Sequence, residues 1–206
     1  MDNVTIIGMD PPVTRNCGWA VGKFVDDKVV LLEKFTQVLD VESRGIQVLE
    51  DVYQALEGLI KKHGATVLSL ENSMGGGFAF GRAKLNEFVG VAKLCCARNG
   101  VKVVEVVPSH LKMNITGHGR APKKKIMANI VAAFGLSDPG PEHECDAAGF
   151  VLNYCIDNGW QGYRVADPYT SEMLKAEKRA KAKRKRIRER KQREKLLKGE
   201  GNVPAV

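Results

Sequence analysis

The feature that most constrains this chain is the order of its apolar segments: three strand-like runs in succession, then an alternation of helix and strand patterns. Val4–Met9, Gly18–Val25 and Lys28–Phe35 read as strands, with Asp26-Asp27 as a tight turn between the second and third. Leu49, Val52, Leu56, Leu59 and Ile60 recur at spacings of three and four, which predicts an amphipathic helix stopped by Gly64. Thr66–Leu70 reads as a buried strand ending at Glu71. A loop at Gly75-Gly76-Gly77 leads into a helix from about Arg82 to Arg98, and Val101–Val107 is a further strand closed by Pro108. Gly117–Pro122 reads as a loop and Lys123–Phe134 as a helix. After the break at Asp138-Pro139-Gly140-Pro141, a last core helix runs from His143 to about Cys155. Three meandering strands followed by strand–helix alternation predict an α/β fold, one mixed sheet with helices on its faces.

A chain of 206 residues, 44% hydrophobic, suits one domain plus an appendage. No apolar run reaches the ~18 residues that cross a bilayer. The chain enters Val4–Met9 with no charged leader, so no membrane association and no signal or transit peptide is expected, and the expected compartment is the cytoplasm. Cys17, Cys95, Cys96, Cys145 and Cys155 are odd in number and show no zinc-ligand spacing, which favours reduced, mostly buried thiols. The net charge of +8 is concentrated: Ser171–Val206 holds 14 Lys/Arg against 5 Asp/Glu, and the rest holds 18 against 19. Such a block points to a polyanion, most often nucleic acid, with a solubilising tail as the alternative. The expected division is a folded domain over residues 1–165 and a basic tail over 166–206, mobile or helical, with few large apolar residues to bury.

Three acids stand out by position. Metal-assisted phosphodiester hydrolysis needs carboxylates from separate parts of a fold, holding divalent ions roughly 3.5–4 Å apart, and hard Mg²⁺ prefers such oxygen ligands. Asp10 ends the first strand, where a turn-forming role beside Pro11-Pro12 is the ordinary reading. Glu71 ends the fourth strand before the glycine-rich loop, where it could simply mark the exit to solvent. Asp146 lies three residues after His143, so both share a helix face, and acids favour a first helical turn on dipole grounds alone. Taken singly, each ordinary reading is the better one. Jointly they are not, because the acids sit at strand ends and on a packing helix of an otherwise neutral domain.

The same residues resemble the RuvC family of Holliday-junction resolvases from Val4 to about Cys155. Ile6-Ile7-Gly8-Met9-Asp10-Pro11 followed by Gly18-Trp19-Ala20-Val21 is similar to that family's first catalytic strand and hairpin. Leu70-Glu71, then Gly90-Val91-Ala92, is similar to its second acid and following helix. Leu111-Lys112 with Gly117, Gly119 and Lys123 resembles its basic loop and two active-site lysines. His143-Glu144-Cys145-Asp146-Ala147-Ala148 resembles its last motif, in which either Asp or His takes the first acid position.

The resemblance implies an RNase H-like fold, a homodimer joined through the Arg82–Arg98 helix, Mg²⁺ with Mn²⁺ as a substitute, and paired nicks in four-way DNA junctions during recombination and repair. It implies a metal site of Asp10, Glu71, His143 and Asp146, with Lys112 and Lys123 offsetting charge at the scissile phosphate. Three departures stand beside it. Pro12 occupies a turn where the family prefers glycine, and that turn is about one residue longer before Gly18. The position of the family's base-wedging aromatic is Met74, with Phe78 and Phe80 just beyond; Met can also wedge between bases. The basic tail lies outside the family core. Together they suggest a divergent member of bacterial or phage origin, whose substrates could extend to flaps and forks. A general branched-DNA or flap endonuclease is the second enzymatic reading, and an inactive structure-specific nucleic-acid-binding module is the reading from another class.

Lys123-Lys124-Lys125 begins a helix, where the dipole disfavours positive charge, which argues for a phosphate partner together with Arg120. Solvated caps are the alternative for Lys124 and Lys125. No Walker lysine follows the Gly75–Gly77 loop, so a phosphate cradle is not expected there. His110 and His118 read as ordinary surface histidines, and Trp19 and Trp160 as core or partly buried aromatics.

Overall fold

The expected meander forms as β1 (Val4–Asp10), β2 (Asn16–Val25) and β3 (Lys28–Val38). Asp26 and Asp27 both take left-handed backbone angles, φ 51° and 53°, the two-residue turn that matches the twist of the flanking strands. After a short α1 (Val41–Arg44) come α2 (Gln47–His63), β4 (Val67–Glu71), α3 (Ala79–Asn99) and β5 (Lys102–Val106). Then follow α4 (Pro108–Thr116), α5 (Lys123–Phe134), α6 (Glu142–Asp157) and α7 (Ser171–Gly199). The computed structural model describes residues 3–12, 15–72 and 79–199. It divides into two units, Met1–Pro168 and Tyr169–Val206, and each is taken by itself. Among the described residues no helix is long and apolar enough to cross a membrane.

Helix α4 was not expected. Pro108 does end the preceding strand, but it then opens a helix, because proline lacks only an N–H that the first turn leaves unpaired anyway. Gly117 closes the helix at φ 80°, its N–H donating to the Met113 carbonyl at 2.8 Å. Gly64 ends α2 in the same left-handed way, at φ 60°.

The five strands lie in the order β3-β2-β1-β4-β5, with β1 antiparallel to β2 and parallel to β4. The α2–α3 pair covers one face, in a cluster that includes Ile7, Met9, Trp19, Leu68, Leu70 and Phe88. Helices α4, α5 and α6 cover the other, with Ile6, Ala20, Val67 and Val151 among their contacts. Side chains alternate faces along a strand. Asp10 therefore shares the α6 face with Ile6 and Gly8, and Glu71 shares it with Val67 and Ser69. The core holds all five cysteines as buried free thiols, as expected. Burial raises the Cys96 and Cys155 thiols to about 12. Trp19 is fully buried and donates to Gln37 at 3.0 Å, while Trp160 stands edge-on to Phe24 with centroids 6.5 Å apart.

Candidate active site

Strands β1 and β4 run parallel, with Met9 opposite Leu70, so Asp10 and Glu71 leave the sheet at the same edge. Helix α6 crosses that face at close range because three strand residues have no side chain. A methyl on Gly8 would fall 2.0 Å from the Ala147 carbonyl oxygen, and one on Gly18 would fall 2.0 Å from that of His143. One on Gly22 would fall 2.4 Å from a Val151 methyl. Residues 143, 147 and 151 form a single stripe on α6, four apart, seated on the glycines. Gly18 is also the β2 partner of Asp10. The close approach thus brings the first turn of α6 onto the end of β1.

There the His143 ring meets Asp10: Nδ1 stands 2.7 Å from Oδ2. His143 makes no side-chain cap, since the cap position of α6 is Pro141 and carries no side-chain hydrogen bond. Asp146, one turn on, lies 2.5 Å from Lys123 Nζ. Lys123 also contacts Glu142 closely, a partner that sequence reasoning did not single out. Its only signal was an acid in the first turn of the helix that carries Asp146. A second brace was equally unmarked: Lys34 on β3 donates to Glu144 at 2.8 Å and to the Pro139 carbonyl at 3.0 Å, tying the start of α6 to the sheet.

Asp10, Glu71, Lys112, Lys123 and Asp146 all line one cavity of about 250 Å³, whose remaining wall is apolar and includes Leu111, Ile126 and Phe150. Burial raises the Asp10 carboxyl from 3.8 to about 6; the His143 hydrogen bond works against that shift and the Asp146 charge adds to it. Glu71 is raised by burial and then by Asp146, with Lys112 and Lys123 opposing. Asp146 is raised by burial in spite of its hydrogen bond from Lys123. Ser69, two residues before Glu71 on the same face, keeps a buried hydroxyl with no partner among the described residues.

The donor set is carboxylate oxygen with one imidazole, which suits a hard or borderline divalent cation. Burial raises all three carboxyls, and the Asp146 charge raises Asp10 and Glu71 further, a cost of ionisation that a bound cation would relieve. Among the described residues no three His, Cys, Asp or Glu side chains are gathered closely enough to enclose an ion as they stand. The ammonium of Lys123 is instead the positive charge in contact with Asp146.

The other expected contacts divide. Arg120 is exposed in the Gly117–Pro122 loop and Lys124 is exposed on α5, and neither lines the cavity. Lys125 pairs with Asp167, whose backbone is bound on both sides by Asn129 at 2.8 Å, so this lysine helps staple the last residues of the first unit to α5. The triple lysine at the start of α5 is therefore offset in part by Glu142, Asp146 and Asp167 rather than left wholly to a phosphate. His110 stands 2.8 Å from Asp157. Met74, Phe78 and the Gly75–Gly77 loop lie outside the described residues, as does the side chain of Phe80.

A mixed five-stranded sheet whose adjacent parallel strands present acids to a third on a crossing helix defines the RNase H-like class of nuclease domains. The family model described as "Crossover junction endodeoxyribonuclease RuvC" matches residues 6–153, and the chain belongs to that family. A relative of that name from Corynebacterium jeikeium is 30% identical over 161 residues, covering 72% of this chain and 92% of its own. One from Gloeobacter violaceus is 28% identical over 166 residues, covering 78% and 90%. Among solved structures, Thermus thermophilus RuvC in complex with a Holliday junction substrate superposes with a TM-score of 0.70 at 18% identity, over 75% of this chain and 94% of that one. The family match ends at residue 153, before α7.

Proposed function

We propose that this chain is a divalent-metal-dependent endonuclease of the cytoplasm that resolves four-way DNA junctions by paired nicks, in recombination and repair. The observation that carries the reading is the convergence of Asp10, Glu71 and Asp146 on one cavity, in a chain of the RuvC family. In this reading Asp10, Glu71, Asp146 and His143 hold Mg²⁺, or Mn²⁺ in its place. The bound cations supply activation of water and stabilisation of the leaving oxygen.

The protein's own groups do the rest. His143, itself one of the metal-holding groups in this reading, faces the Asp10 carboxylate through Nδ1, and the contact fixes both side chains in place. Lys123 moves from Asp146 to the incoming phosphate, and Lys112, beside Glu71, offsets the charge that develops there. Cleavage leaves 5′-phosphate and 3′-hydroxyl ends. Arg120 and Lys124 meet flanking phosphates, and Met74, Phe78 and Phe80 open the junction. A two-fold homodimer joined through α3 gives each protomer an equivalent strand of a two-fold junction.

The test is purified protein with Mg²⁺ and equal amounts of four-way, flap, fork and linear duplex DNA. Symmetric nicks in the junction, abolished by Asp10→Asn with junction binding retained, are expected. Equal cutting of flaps and forks would replace resolution with general branched-DNA cleavage. Comparable nicking by Asp10→Asn would remove the catalytic assignment.

A further inference from the structure

Helix α7 is 29 residues long and consists mainly of Lys, Arg, Ala and Glu, all good helix formers. It has no apolar stripe: Met173 and Ile187 are 39% and 47% exposed, and every residue from Lys175 to Glu194 is exposed. A helix without such a stripe has nothing to seat on a protein core or in a bilayer interface. Within it, the eleven residues Lys178–Arg188 hold eight Lys/Arg and no acid. The helix's ion pairs among the described residues are Lys185–Glu189 and Arg190–Glu194, which leave most of that block uncompensated. Cations three and four residues apart repel one another along the helix, so the block calls for external anions.

Their angular arrangement says where the anions must be. At about 100° per residue, Ala176, Ala180 and Ile187 fall within roughly 40° of one another and, over the stretch Ala176–Arg188, make a narrow side with no charge. Arg179, Lys183 and Arg186 flank it on one hand. Arg184 and Arg188 flank it on the other. The other three cations of the block, Lys178, Lys181 and Lys185, lie on the opposite side of the helix. A duplex major groove, about 12 Å wide, places a phosphate backbone on each side of an inserted helix and base edges, including thymine methyls, under its small apolar side.

We propose that α7 is a second DNA-binding element, which lies in the major groove of a duplex arm with its two basic flanks on the two backbones. The choice of DNA over RNA rests on the reading of the chain as a DNA enzyme, and agrees with the A-form major groove being too narrow to admit side chains.

The experiment is equilibrium binding of the full chain to a linear DNA duplex across a salt series, in EDTA so that no cleavage intervenes. Two variants are compared: Arg179→Gln/Lys183→Gln/Arg186→Gln for one flank, and Arg184→Gln/Arg188→Gln for the other. Glutamine keeps helix propensity and removes charge. Each variant is expected to bind roughly tenfold more weakly near physiological salt, with its salt slope reduced by about 2 to 3 for the triple and about 2 for the double. Methyl green, a major-groove ligand, should compete, and the minor-groove ligand distamycin should not. Wild-type affinity and slope in either variant would overturn the two-flank groove placement. An equal or larger loss on duplex RNA, or on anionic vesicles, would overturn the choice of DNA. Because the readout is binding alone, a chain that binds through α7 but cuts no junction would sink the catalytic reading and leave this one standing.

Discussion

His143 Nδ1 lies 2.7 Å from Asp10 Oδ2, so a helix residue and a strand residue 133 positions apart are in direct contact. The contact exists because Gly18, the strand partner of Asp10, lets the backbone of α6 rest directly on β2. Removing the ring should free the Asp10 carboxylate without disturbing the core, since His143 is 39% exposed. His143→Ala is expected to slow single-turnover junction cleavage by about 10- to 100-fold, with little change in melting temperature. An unchanged rate would place His143 outside the working site.

The raised Asp10 pKa makes a prediction about the metal-free protein. A folded pKa of about 6 against 3.8 means that the folded state binds the proton more tightly than the unfolded one. Stability in EDTA should therefore fall as pH rises from about 4 to about 6 and stay low above that range. Glu71 and Asp146 shift in the same direction and add to the loss. The Asp10 share is at most about 3 kcal/mol. Asp10→Asn should thus raise the melting temperature at pH 7 in EDTA and flatten its pH dependence. A lower melting temperature for this variant would show that the carboxylate is stabilising as it stands.

Gly18 and Gly58 make a matched pair. A methyl at Gly18 meets the His143 carbonyl oxygen at 2.0 Å, whereas one at Gly58, on the exposed side of α2, meets nothing within 4 Å. Gly18→Ala should cost about 3 kcal/mol in urea unfolding and displace His143 from Asp10. Gly58→Ala should stabilise by up to about 1 kcal/mol. Equal midpoints for the two variants would contradict the seating of α6 on the strand glycines.

Helix α3 bears on the proposed dimer. Phe88, Val89, Ala92, Cys95 and Cys96 face the core, while Leu94 points outward, 51% exposed. If α3 is the contact, Leu94→Glu should raise the dimer dissociation constant measured by sedimentation equilibrium by tenfold or more, about 1.4 kcal/mol in association free energy. Asp10 and its cavity should be untouched. A sedimentation profile identical to wild type would move the interface elsewhere.

Local chemistry made much of this molecule legible from its residues alone. Apolar spacing along one segment is enough to mark α2, α5 and the strands, and Gly64 and Asp26-Asp27 act through their own backbone angles. The same kind of signal misled at Pro108, because proline ends a strand and begins a helix with equal ease. The acids at the ends of β1 and β4 could be suspected from position, and their order with His143 and Asp146 carried the family resemblance. The charge block of α7 was plain in composition. What only the tertiary structure decided is which groups face one another. Lys123 meets Asp146 and Glu142 where α5 passes α6, Lys125 meets Asp167 instead of the cavity, and Gly8, Gly18 and Gly22 act together only under the stripe of His143, Ala147 and Val151. The physical reason is range: backbone periodicity is set by neighbours within a turn or a pleat, whereas burial, ion pairing and close approach depend on elements from 19 to more than a hundred positions apart in the chain.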